Sequence, residues 1–154
     1  VSRWRKAILG TLACIGIWLG AVIAIQPSVD APPLPIRALG ASQYVTTNEY
    51  RTVIAGYVVN IPSGFTNDLA SLPAPAQKAI GITRDHPSIR RGALCHDWFY
   101  RTHLVSKEKA DWLLYQACLT DGMNTQKALA VLEAVKLWGF LAWDKHSPST
   151  TLRQ

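Results

Sequence analysis

Three places in this chain set polar side chains capable of chemistry among apolar neighbours. Gly64-Phe65-Thr66-Asn67-Asp68-Leu69-Ala70-Ser71-Leu72-Pro73 reads as a loop with a single carboxylate. His96-Asp97-Trp98-Phe99-Tyr100 follows apolar Ala93 and Leu94, and Asp111 stands just before Trp112-Leu113-Leu114. Buried polar groups must be hydrogen-bonded, paired or bound to a metal, so these positions are the candidates for a site.

The elements that must position them are two helices. The first is predicted over about 87–102, and the second begins after Ser106, a good N-cap, and runs to about Thr120, where Asp121-Gly122 stops it. A short turn between them makes the pair antiparallel. His96 lies about five residues before the end of one helix and Asp111 about five after the start of the next, which brings them level. A hydrogen bond from Asp111 to one imidazole nitrogen would leave the other as a base. Asp97, about 100° around the helix from His96, is then placed to hold a hard cation such as Ca²⁺, with Asp68 as a second ligand. Tyr100 would orient Asp111 through its hydroxyl. The same residues also read as a satisfied polar lock between two helices, with no chemistry. His86, His103 and His146 fall at element ends and are expected at the surface.

The cysteines test this register. Outside the cytoplasm Cys95 and Cys118 could form a disulfide. If His96 faces Asp111, however, the two cysteines are offset by about six residues, roughly 9 Å, and a bridge needs Cα atoms within about 7 Å. The disulfide and the His-Asp pair exclude one another, and the pair is expected.

Around this helical pair the fold class is α+β. It should comprise an N-terminal transmembrane helix, a short β-hairpin and a three-helix bundle whose antiparallel pair carries the polar site. The uncharged run 7–25 would span about 28 Å as a helix, close to the hydrocarbon thickness of a bilayer. Arg3, Arg5 and Lys6 before it place the flank 1–6 in the cytoplasm and the following domain outside, in a bacterial envelope or virion. A cleaved signal peptide is the rival reading. Residues 26–43, with four prolines, read as an extended linker, 44–147 as the folded domain and 148–154 as a tail. Tyr50 to Pro62, broken by Gly56, is predicted as the hairpin. A third helix from Asn124 or Thr125 to about Trp143 presents Ala128, Val131, Val135, Trp138 and Ala142 on one face. Its Trp138 and Trp143 would suit a lipid interface.

The chain has 154 residues, 49% hydrophobic and 17% charged, which excludes general disorder. Its formal charge is +6. Setting aside the three basic residues of the flank leaves 13 basic against 10 acidic residues, too small and scattered an excess to indicate nucleic acid as a partner.

Ile61-Pro62-Ser63-Gly64-Phe65, Asp68-Leu69-Ala70-Ser71-Leu72-Pro73, His96-Asp97-Trp98-Phe99-Tyr100 and Ala110-Asp111 together resemble domain-of-unknown-function family 1353. The likeness spans about 44–143, with Asn67 where that family usually has threonine. It implies a phage or prophage origin and no particular activity. His-Asp-x-x-Tyr with a later aspartate on an antiparallel helix also looks like secreted and viral phospholipases A2. That likeness implies that His96 activates water, Asp97 binds Ca²⁺, Asp111 orients His96 and Tyr100 supports the dyad. The glycine-rich calcium loop and the cysteine framework of those enzymes are missing. The expectation is a cation-assisted hydrolase acting on a phospholipid ester, with membrane lipid as partner. The alternative is a non-enzymatic virion, assembly or superinfection-exclusion protein with phage or envelope proteins as partners. A third possibility is a peptidoglycan hydrolase with Zn²⁺ on Asp68, His96 and Asp97.

Overall fold

In the computed structural model of the protein, residues 33–69 and 72–146 are described. They form two small antiparallel sheets and four helices. The first sheet has the order β1 (Ile36–Ala38), β2 (Tyr44–Thr46), β5 (Thr66–Asn67), and the second is the hairpin β3 (Tyr50–Ile54) with β4 (Tyr57–Ile61). The helices are α1 (Ala74–Ile80), α2 (Pro87–Thr102), α3 (Lys107–Thr120) and α4 (Thr125–His146).

The hairpin follows from its sequence. Ala55 and Gly56 both take positive φ, 47° and 83°, the geometry a two-residue turn needs to match strand twist. With Tyr50 opposite Ile61 and Ile54 opposite Tyr57, the alternation buries Tyr50, Ile54, Val59 and Ile61 on one face. That face joins Ile89, Leu94, Leu113 and Val131 in the core.

Helices α2 and α3 have the predicted bounds. The Ser106 side chain accepts from the Lys109 N–H at 3.2 Å and caps α3. His103, at φ 53°, ends α2 in the left-handed conformation and sends its N–H to the Phe99 carbonyl. Gly92 lets the two helices approach, since a Cβ there would lie 2.9 Å from Ala117 Cβ and from Leu114 Cδ1.

Several expectations need correction. The membrane segment expected over 7–25, its flank 1–6, the first part of the expected linker, 26–32, and the tail 148–154 lie outside the described residues. Among the described residues no helix is long and apolar enough to cross a membrane. Helix α4 is the longest at 22 residues, and Lys127, Glu133 and Lys136 interrupt its apolar stretch. The fold is therefore an α+β domain with no spanning helix among these residues. The expected single-pass placement, with the domain outside the cytoplasmic membrane, finds no spanning helix among the described residues to support it. The expected linker also contains structure. β1 forms within it and pairs with β2, Ile36 opposite Thr46. The prolines that suggested a spacer also suit an edge strand, which needs few ladder donors.

Helix α4 is corrected too. Ala128, Val131 and Val135 are buried as expected, but Trp138 is 50% exposed and Ala142 is exposed. Both line a cavity instead of a sealed core. Leu137, Phe140 and Leu141 stand open as well.

Candidate functional site

Helices α2 and α3 bring His96 and Asp111 together as their register requires. His96 Nε2 lies 2.8 Å from Asp111 Oδ1. Tyr100, one turn beyond His96, donates its hydroxyl to the same oxygen at 2.7 Å and packs its ring 4.0 Å from the imidazole. Cys95 and Cys118 are free and buried, and burial pushes both thiols up to about 12. The competing disulfide is thus absent.

Asp111 is 1% exposed. Burial alone would raise its carboxyl, but hydrogen bonds from His96, Lys107 and Tyr100 win, and the group sits below the ordinary aspartate range. Lys107 was not anticipated. It opens α3 four residues before Asp111, and its Nζ is 2.8 Å from Oδ2. The i,i+4 spacing was the available signal. Two oxygens of one buried carboxylate therefore receive three donors, and His96 Nδ1 is the ring nitrogen not committed to Asp111.

His96 lines a cavity of about 100 Å³ beside Asp97 and Tyr100. The rest of its wall is apolar and includes Leu69, Leu72, Leu114, Val135 and Trp138. Gly139 completes the wall from α4, where a Cβ would collide with the Tyr100 hydroxyl. Trp143 then packs edge-on against Tyr100 and stacks on His103 at 3.9 Å. His103, expected at the surface, is half-buried for this reason. His86 caps α2 by accepting from the Ser88 N–H, and the side chain of His146 is not described.

Asp97 faces the loop that carries Asp68. Thr46 on β2 anchors that loop, donating its hydroxyl to the Pro62 carbonyl at 2.7 Å and accepting from the Phe65 N–H at 2.9 Å. Phe65 meets Trp98 of α2 edge-on, with centroids 5.1 Å apart. The Asp68 N–H then reaches Asp97 Oδ2 at 3.2 Å. Burial pushes the Asp97 carboxyl well above the aspartate range, and the neighbouring Asp68 carboxylate adds to the shift. Leu69, at φ 55° and fully buried, turns the chain into the cavity wall.

Two facing carboxylates are the donor chemistry a hard divalent cation takes, and a cation would relieve their repulsion. Asp97 and Asp68 are the residues that would hold it. Among the described residues no group of three His, Cys, Asp or Glu is placed to hold a metal, so backbone oxygen, water or substrate would supply the remainder. The three-ligand Zn²⁺ set of Asp68, His96 and Asp97 does not come together as such a group.

A second buried polar centre, missed in the sequence, braces the fold. Arg91 of α2 holds Asp121 through Nε and Nη2, the shortest contact 2.7 Å, and reaches Thr52 Oγ1 and the Val53 carbonyl with Nη1, both at 3.2 Å. It ties the end of α3 and strand β3 to α2.

Comparison with known proteins gives one positive result. Residues 44–135 match the profile of the family described as Protein of unknown function (DUF1353). The matched span contains Asp68, His96, Asp97, Tyr100, Lys107 and Asp111, and it ends before Trp138 and Gly139. No curated protein and no solved structure matches the chain.

Proposed function

This chain belongs to the DUF1353 family, and we propose that it is a hydrolase of carboxylic esters, with phospholipid as the substrate class. The observation that carries this reading is an imidazole paired with a buried carboxylate at the wall of a largely apolar cavity. His96 gives Nε2 to a buried carboxylate and keeps Nδ1 available, while the cavity offers acyl-chain surroundings.

In this reading His96 Nδ1 takes a proton from a water molecule as the water oxygen bonds to the ester carbonyl carbon. Asp111 and Tyr100 keep the imidazole oriented and stabilise its cationic form. When the tetrahedral adduct collapses, the ester C–O bond breaks and the Nδ1 proton passes to the leaving alcohol oxygen. A Ca²⁺ ion held by Asp97 and Asp68 would add electrostatic stabilisation of the developing oxyanion. The partial likeness to phospholipases A2 supports the same assignment of His96, Asp97, Asp111 and Tyr100.

The test is fatty-acid release from mixed-acyl phospholipid vesicles by the chain, with Ca²⁺ and with chelator, beside a folded His96→Gln variant. Release by the wild type and its loss of at least about 10²-fold in the variant are expected. No release by a folded, calcium-supplied chain sinks the proposal.

A non-enzymatic virion, assembly or superinfection-exclusion role draws support from one observation. Leu137, Phe140 and Leu141 leave an apolar stretch of α4 open, at 63%, 49% and 64% exposure. Under that reading His96→Gln lowers stability, and no hydrolysis is found in either protein.

A further inference from the structure

We propose that Lys107 is the positioning residue of this site, fixing Asp111 through Oδ2 so that Oδ1 serves His96 and Tyr100 together. The catalytic consequence rests on the hydrolase reading, whereas the positioning does not.

A carboxylate turns easily about its last torsion, which is broad and two-fold. His96 and Tyr100 both bind Oδ1, so neither of them restrains Oδ2. Lys107 does, at 2.8 Å, and its ammonium is itself held. Nζ lies 3.4 Å from the carbonyl of Val135 on α4 and 5.9 Å from the centre of the Tyr100 ring. One cation therefore binds groups of α3 and α4 and lies over an aromatic ring of α2. Its side chain is only 17% exposed and its partner 1%. The Lys136–Glu133 pair on α4 is the contrast, 53% and 69% exposed, and such pairs contribute little.

The charge matters as well as the contact. A buried carboxylate beside a neutral imidazole has no counter-charge of its own, and an unpaired buried charge is strongly destabilising. Lys107 supplies the counter-charge without occupying the oxygen that His96 needs. A neutral imidazole carries one proton, and donation from Nε2 to a fixed Oδ1 places it there. The lone pair then stays on Nδ1, the ring nitrogen not bound to Asp111. Without Lys107 the carboxylate is free to turn, and this tautomer loses its anchor.

The experiment is nitrogen-15 NMR of labelled histidine in the full chain, at one alkaline pH where imidazole is neutral. Wild type should show His96 as the Nε2–H tautomer with a protected ring proton. Lys107→Met should mix the tautomers and lose that protection, and Lys107→Arg should restore both. Lys107→Gln, which keeps a donor but no charge, guards against failure of the Met variant to fold. An unchanged His96 signal in either folded uncharged variant overturns the proposal. Under the ester assay, Lys107→Met should lower kcat about ten- to a hundredfold with little change in KM. Should no variant or wild type hydrolyse ester while the tautomer responds as stated, the hydrolase reading falls and the positioning role stands.

Discussion

Gly139 of α4 lies directly against the hydroxyl of Tyr100 on α2. That hydroxyl is already engaged at 2.7 Å with Asp111, so α4 closes over the dyad with no room for a side chain at this position. Replacement of Gly139 by Ala should cost about 1–3 kcal/mol through overpacking. In a Tyr100→Phe background the clashing oxygen is gone, and the cost should shrink. Urea denaturation of the two single variants and the double variant tests the coupling, and simple additivity would refute it.

Substituting Asn for Asp111 should reduce ester hydrolysis by about 10²–10⁴-fold while the chain stays folded, because the imidazole loses its anionic partner. The measurement is the initial rate on phospholipid vesicles beside circular dichroism of the same preparation. A folded Asn variant with wild-type activity would contradict the assigned role.

Acid should expose the same carboxylate. Asp111 sits below its unfolded value, so its stabilising contribution is full above the ordinary aspartate range and is lost as pH falls through the lower folded value. Stability measured downward from about pH 5 should therefore decline, and this part of the decline should be missing in Asp111→Asn.

Asp97 has the opposite sign. Its raised value means that the folded chain holds a proton the unfolded chain has released, so stability falls as pH rises above the unfolded aspartate value. At neutral pH, Asp97→Asn should raise the melting temperature by a few degrees while keeping an acceptor for the Asp68 N–H. The same variant should abolish any calcium-dependent rise in melting temperature shown by the wild type. A lower melting temperature at neutral pH would reverse the argument.

Arg91 should be among the least tolerant positions of the chain. Replacement by Met leaves Asp121 unpaired, and removing one partner of a buried pair costs about 3–5 kcal/mol. The side chains of Arg91 and Asp121 are 7% and 9% exposed. Loss of less than about 1 kcal/mol in denaturant titration would show the pair to be dispensable.

The parts of this molecule that were legible in sequence are those whose signals are local. Ser106 and Asp121-Gly122 bound α3, and periodicity with a short turn set His96 opposite Asp111. Strands β1, β2 and β5 are two or three residues long, too short to alternate, and exist through pairing with distant segments. Lys107 resembled any solvent-facing lysine at a helix start until its partner's burial was known. Gly139 has meaning only across the α2–α4 contact, which nothing within α4 announces. Trp138 keeps the helical period of the buried face and is still half exposed, because periodicity does not record that this stretch borders a cavity.

The dyad also has a bearing on how the chain acquires its structure. His96 and Asp111 are 15 positions apart, on consecutive helices joined by a short turn. Arg91 reaches Val53 across 38 positions. Closing the first contact takes little loop entropy, so the helical hairpin and its polar seam are suited to forming early, before the distant strand docks. Substitutions along that seam should then slow folding, whereas those at the strand brace should chiefly hasten unfolding.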